Sequence, residues 1–145
     1  MAYFANNALG NSVYVELTTN LENTEESVKI KDMVNEAIAS RFHLRVANKK
    51  DADSILEVAV KNVQDTIIAT NSQGFVTFYR VFVYLTFKFS HNGKTYRFEN
   101  QGYYDYPVSL TSPTITYNNR VAAILEASKQ SIDRFVSQVG YSVTF

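Results

Sequence analysis

Residues 12–19, SVYVELTT, set Val13, Val15 and Leu17 against Tyr14, Glu16 and Thr18. A period of two is what a strand with one buried face requires, because successive side chains point to opposite sides of a sheet. Asn20 to Thr24 reads as a polar turn. Asn23, followed three residues later by Glu26, makes a capping-box-like helix start, and Glu25 and Glu26 fall where the helix dipole favours acids. Val28 or Ile30, then Val34, Ala37, Ile38 and Phe42, recur at spacings of three and four, with Lys29, Lys31, Asp32, Asn35, Glu36 and Arg41 on the other side. That stripe predicts an amphipathic helix ending near His43. NKKDADS, residues 48–54, reads as a solvated loop. In SILEVAVKNV, Leu56, Val58 and Val60 face one way and Glu57 and Lys61 the other, which predicts a second strand. Residues 64–73 carry no Lys or Arg and little pattern, and read as a loop.

The longest alternation follows. In residues 74–90, Val81, Val83, Leu85, Phe87 and Phe89 form an apolar row against Arg80, Phe82, Tyr84, Thr86 and Lys88. Asn92-Gly93 then separates two β-rich runs, the strongest short hairpin signal, since both turn residues need positive φ. With these two as the loop, Phe89 pairs with Tyr96, Lys88 with Arg97, Phe87 with Phe98, Thr86 with Glu99 and Phe82 with Tyr103. Apolar meets apolar and polar meets polar, so the alternation and the turn fix the same register. A bend or bulge is expected around Asn100 to Gly102, because glycine inside a strand often marks one. Thr111 to Asn119 reads as a Pro-containing turn. A final helix is predicted over about Asn119 to Val139, with Val121, Ile124, Leu125, Ser128, Ile132, Phe135, Val136 and Val139 as its stripe and Gly140 at C′.

The resulting order β-α-β-β-β-α predicts an α+β two-layer sandwich: a roughly four-stranded, mostly antiparallel sheet with two helices on one face. At 145 residues the chain fits one domain, residues 1–145, with 1–11 as an extended N-terminal segment. Its 46% hydrophobic and 19% charged residues, with five Gly and two Pro, exclude a disordered or collagen-like chain. Fourteen basic residues balance fourteen acidic ones, so general attraction to nucleic acid is missing and no nucleic-acid partner is expected. The absence of Cys removes thiol catalysis and Cys-based zinc sites together. No run of 18 apolar residues occurs, and residues 1–11 lack a signal peptide's basic and apolar regions.

Catalytic constellations are equally missing. No nucleophile-elbow, Walker or dinucleotide glycine motif is present, and neither His43 nor His91 has a second ligand at helical spacing. Glu25 and Glu26 are adjacent, so on a helix they face different ways. Neither an enzyme, a cofactor nor a metal site is expected. The charge distribution is the one informative feature. Six acids between Glu16 and Glu36 oppose only Lys29 and Lys31, whereas between Asp65 and Glu99 the only charges are Arg80, Lys88, Lys94 and Arg97. The predicted register sets Lys88 directly across from Arg97, a like-charge pair that destabilises a sheet unless an anion lies between. With Phe82, Tyr84 and Tyr103 on the same face, these four cations suit a ligand with both phosphates and acyl chains. The same residues also fit a plain surface on which Glu99 sits diagonally close and the long side chains splay apart. The aromatic row would be a large exposed patch unless a partner, or a terminal segment such as Ala2 to Leu9 or Tyr141 to Phe145, covers it.

The segments NSVYVELTTNLENTEESVKIKDMVNEAIASRF, ADSILEVAV and GFVTFYRVFVYLTFKF, with the hairpin and the C-terminal amphipathic helix, come in an order that resembles LptE-type lipopolysaccharide-assembly lipoproteins. The likeness is to an epsilonproteobacterial form and covers Tyr3 to Val139. It implies a noncatalytic subunit of the outer-membrane lipopolysaccharide translocon, which plugs the LptD β-barrel, helps it fold and binds lipopolysaccharide. It also implies a place at the periplasmic face of the outer membrane, through a lipidated N-terminal Cys of the native precursor. Met1 and Ala2 would then stand where the signal peptide and Cys are removed in a shortened soluble form. Residues 66–73 and 107–119, before the long strand and the last helix, carry no Lys or Arg. Lipopolysaccharide phosphates are therefore expected at Arg80, Lys88, Lys94 and Arg97. The alternative reading is a free periplasmic binding module for an amphiphile or a peptide.

Overall fold

The computed structural model describes residues 8–19 and 24–142. The chain forms β1 (Ser12–Thr19), α1 (Thr24–Glu36) continued by a π turn over Ala37–Arg41, β2 (Arg45–Val46), β3 (Ser54–Thr70), β4 (Val76–His91), β5 (Lys94–Pro107) and α2 (Pro113–Ser142). One five-stranded sheet has the order β2-β1-β3-β4-β5. It is mixed: β1 runs parallel to β2 and β3, and β3, β4 and β5 form an antiparallel meander. The expectation of four mostly antiparallel strands is thus corrected in its strand count and at one side of the sheet. Two-residue β2, with both side chains exposed, is too short to show an alternation. Helix α1 carries the chain back to the end where β1 began, so the strands that follow lie parallel to it.

The two-layer α+β architecture stands. Val13 and Val15 of β1, Leu56 and Val58 of β3, and Val83, Leu85 and Phe87 of β4 share one core with Ile30 and Val34 of α1, Ile38 of its π turn, and Ile124, Phe135 and Val139 of α2. Phe135 is its centre, stacked 4.3 Å from Phe87 and edge-on to Phe42, Phe89 and Phe98 at 6.1–6.2 Å. Of the two candidates for the first turn of the α1 stripe, Ile30 is buried and Val28 is exposed. Asn23, the proposed cap, lies outside the described residues.

The hairpin register holds from His91↔Lys94 through Lys88↔Arg97 and Phe82↔Tyr103 to Phe78↔Pro107, with Asn92 and Gly93 at φ 52° and 77°. This unbroken pairing leaves no bulge at Asn100 to Gly102. Gly102 answers a different need: a Cβ there would sit 1.9 Å from the Ala127 carbonyl oxygen, so α2 lies directly on β5. The irregularities are in β3, where pairing with β4 shifts between Val60 and Asn62 and again near Ala69. A bulge reverses the alternation. Val58 and Val60 face the helices before it, Val63 and Asp65 after it, opposite the buried Val83 and Val81. That phase change, with exposed Ile67 and Ile68, hid the strand within residues 64–70. Helix α2 also starts earlier than Asn119, at Pro113, with Ser112 Oγ accepting from Ile115 N–H at 3.3 Å. Its first turns expose Ile115 and Tyr117 and so lack the buried stripe. Gly140 lies inside this helix, not at its C′.

Candidate functional site

The bare face of the sheet carries six of the seven side chains singled out by the sequence; Lys94, opposite His91, falls in the other row, with Tyr96 and Phe98. Arg80 stands opposite Asp105, with Nε and Nη2 donating to the carboxylate at 2.7 and 3.1 Å. Its guanidinium carbon lies 4.7 Å from the Tyr103 ring centroid. The hydrogen bond to Arg80 holds the Asp105 carboxyl below its ordinary value, and that same bond raises Arg80. Phe82 tilts against Tyr103 at 5.9 Å, and Tyr84 stands opposite Gln101. Arg80, Phe82 and Tyr103 therefore form one group. Lys88 and Arg97 are a second pair, eight positions from Arg80 along β4 and so about 27 Å away at the usual ~3.4 Å strand rise. Lys94 is at the turn, opposite His91.

The Lys88–Arg97 repulsion is met within the protein. Glu57 of β3 faces Lys88 on its other side, and Arg97 Nη2 reaches Glu99 Oε1 at 2.9 Å. Lys88 and Lys94 keep no ion pair among the described residues, whereas Arg80 and Arg97 do. A further cation, Lys61, which the alternation sets on the side of Glu57, joins this face. The β3 bulge turns it into a cleft with Asn62, Tyr84, Thr86, Glu99 and Gln101. Nothing in the local sequence announces that bulge.

At the end of the sheet remote from the Asn92-Gly93 turn the surface changes character. Ile67, Phe75, Phe78, Leu110, Ile115 and Tyr117 are all exposed there. Residues 66–79 and 106–119 contain no Asp, Glu, Lys or Arg. Side chains lock this end together from inside. Tyr79 stacks on Tyr106 at 5.7 Å, the Tyr106 hydroxyl donates to Asp65 Oδ1 at 2.5 Å, and Arg120 of α2 meets Asp65 at 3.0 Å. Burial, reinforced by the bond to Asp65, raises the Tyr106 phenol far above its ordinary value. Burial would lower Arg120, but its hydrogen bond to Asp65 leaves it raised. The Asn71–Gly74 turn is closed by Asn71 Oδ1, which accepts from Gln73 and Phe75 N–H at 2.9 and 3.0 Å.

Neither histidine joins a metal-ligating group, since among the described residues no three His, Asp or Glu side chains come together. No described helix is long and apolar enough to cross a membrane. Of the terminal segments that could cover the aromatic face, residues 2–7 and 143–145 lie outside the described residues. Leu9 is buried in the helix-side core, its carbonyl accepting from Ser54 Oγ at 2.7 Å.

A two-layer sandwich with one bare, cation-bearing sheet face and one uncharged apolar end has the surfaces of a protein that engages other molecules. The chain belongs to the LptE lipopolysaccharide-assembly family, whose model matches residues 10–139, and its role therefore lies in lipopolysaccharide assembly. Among solved structures, the rare lipoprotein B from Shewanella oneidensis shares the fold at TM-score 0.66 and 14% identity, covering 90% of this chain and 96% of that one. A putative lipoprotein from Caulobacter crescentus gives TM-score 0.61 at 9% identity, with 90% of each chain covered. A minor lipoprotein from Acinetobacter baumannii gives 0.59 at 10%, covering 91% of this chain and 92% of that one. No curated protein matches the chain significantly.

Proposed function

We propose that the protein is a noncatalytic subunit of the outer-membrane lipopolysaccharide translocon, which plugs the LptD β-barrel, helps it assemble and binds lipopolysaccharide. The observation that carries this reading is the uncharged end. A long hairpin tip, the end of β5 and the first turns of α2 expose apolar side chains together, braced from inside by Tyr106, Asp65 and Arg120. Exposed apolar surface of this kind marks an interface, and an end whose exposed segments, residues 66–79 and 106–119, carry no charge suits insertion into a lumen. Lipopolysaccharide binds the open sheet face, its acyl chains against Phe82, Tyr84 and Tyr103 and its anionic groups at Arg80, Lys88 and Arg97, with Lys61 beside them and Lys94 reaching from the turn at the sheet's end. The lipoprotein neighbours support an N-terminal lipid anchor on the native precursor, at the periplasmic face of the outer membrane.

The test is co-expression of the full precursor with the candidate barrel from the same organism, detergent extraction and size-exclusion chromatography. A stable one-to-one complex is expected. A barrel that folds and elutes alone would overturn the plug and leave a free periplasmic module that binds an amphiphile or a peptide.

A further inference from the structure

β5 is the outer strand of the sheet, 14 residues long. In an antiparallel pair closed by a two-residue turn, the flanking residues bond each other. The residues at 94, 96, 98, 100 and 102 thus turn their N–H and C=O toward β4, and the odd positions turn theirs outward. Tyr103 shows this directly: its N–H donates to Gln130 Oε1 at 3.0 Å and its carbonyl accepts from Gln130 Nε2 at 2.7 Å. A side-chain amide of α2 stands where the peptide of a neighbouring strand would. Asn119 Nδ2 likewise donates to the Pro107 carbonyl at 3.1 Å. Helix α2 closes this half of the edge and then slopes inward, until Phe135 stacks on Phe87 of β4. Among the described residues nothing bonds the outward backbone groups of Thr95, Arg97, Glu99 and Gln101. Unpaired edges of this kind are templates for another strand.

We propose that this open half-edge pairs with the same half-edge of a second copy, β5 to β5, antiparallel about a twofold axis at Phe98. Two five-stranded sheets then join into one. Charge selects both the occupant and the register. With Phe98 on the axis, Arg97 of each copy faces Glu99 of the other, and Thr95 faces Gln101. All the outward N–H and C=O groups of the four residues find partners. Arg97 and Glu99 already form an exposed ion pair within one chain, and pairing completes a ring of four alternating charges. Outward groups meet only when odd positions face odd positions. The nearest alternative registers place Arg97 on Arg97 or Glu99 on Glu99, and like charges directly opposite are destabilising. Pairing beyond Gln101 is blocked by Gln130 on Tyr103. A self-complementary contact of this kind closes as a dimer and does not extend into a filament.

Sedimentation of the chain over a concentration series tests this. The mass of the unaltered protein should climb toward twice the 16.5 kDa of one chain. Glu99→Arg, and separately Arg97→Glu, should hold the mass at one chain at every concentration. The exchange Arg97→Glu with Glu99→Arg should restore the doubling. Both side chains are exposed, and circular dichroism of each variant verifies the fold. A one-chain mass for the unaltered protein at all concentrations overturns the proposal. So does a doubled mass that survives Glu99→Arg, or a folded exchange variant that stays at one chain. Barrel engagement is assigned to the opposite end of the hairpin, so either result here leaves co-elution with the barrel to be decided by its own experiment.

Discussion

Gly102 and Gly93 are the same residue answering different constraints. At Gly93, φ is +77° and nothing lies within 4 Å of an added Cβ, so an alanine has room and suffers only the left-handed backbone. At Gly102 the obstacle is α2 itself, the Ala127 carbonyl oxygen 1.9 Å from the added Cβ. A backbone atom cannot swing aside as a side-chain tip does. Gly102→Ala should therefore cost at least the upper part of the about 1–3 kcal/mol typical of overpacking, read as a lower urea midpoint. An undiminished midpoint would mean that α2 does not rest on β5. Tyr106 makes a second prediction at this scale. Its phenol is raised above the ordinary tyrosine value by burial and by Asp65. The native state therefore keeps a proton that the unfolded chain loses above about pH 10, so this stabilisation is present below that pH and fades above it. Tyr106→Phe should cost about 1 kcal/mol near neutral pH, the usual net worth of one hydrogen bond. Its stability should then fall less steeply than the parent's between about pH 9 and about pH 11. Parallel slopes would remove Tyr106 as the group responsible.

What the elements reveal in advance depends on whether their signals are local. The β4–β5 hairpin was legible to the residue because its turn and its alternation depend on the same few positions, and the structure keeps every pair that they imply. The extension of β3 was not legible. A bulge between Val60 and Asn62 reverses the alternation, and beyond it the strand exposes Ile67 and Ile68 instead of burying a face. β2 and the first turns of α2 failed for a related reason: neither buries a periodic stripe, so only tertiary contacts and the Ser112–Pro113 start define them. At the site, the residues of the open face were legible through register. The acids beside them, Asp105 paired with Arg80 and Glu57 facing Lys88 across the strands, depend on cross-strand pairing that the charge count alone had read as an unbalanced basic patch. The hairpin also carries the prediction of this scale. Gly93→Ala forces a side chain into the left-handed region, at a cost of about 1–2 kcal/mol. Because the turn sets the register of both strands, this loss should appear with intact far-ultraviolet dichroism. A folded protein of unchanged midpoint would show that strand packing, and not the turn, fixes the pairing.

Across the whole molecule, two surfaces lie at a distance from one another and permit separate tests. The charged part of the open face, with Lys88 and Arg97, is near the Asn92-Gly93 turn, while Phe75 and Ile115 are exposed at the uncharged opposite end. Lys88→Glu with Arg97→Glu reverses two exposed cations and leaves the core untouched. It should weaken lipopolysaccharide binding at fixed ionic strength, because exposed charge pairs act within about a Debye length, ~10 Å at 0.1 M salt, while co-elution with the barrel persists. Phe75→Asp with Ile115→Asp should do the reverse. Both side chains are more than half exposed, so the thermal midpoint should hold, yet two carboxylates brought into an apolar contact with no cation nearby meet a desolvation cost and no compensation. Loss of co-elution with retained lipopolysaccharide binding would assign the barrel contact to this end. If instead the two aspartates leave the complex intact while the two glutamates dissolve it, the orientation is inverted and the turn end of the hairpin is what enters the lumen.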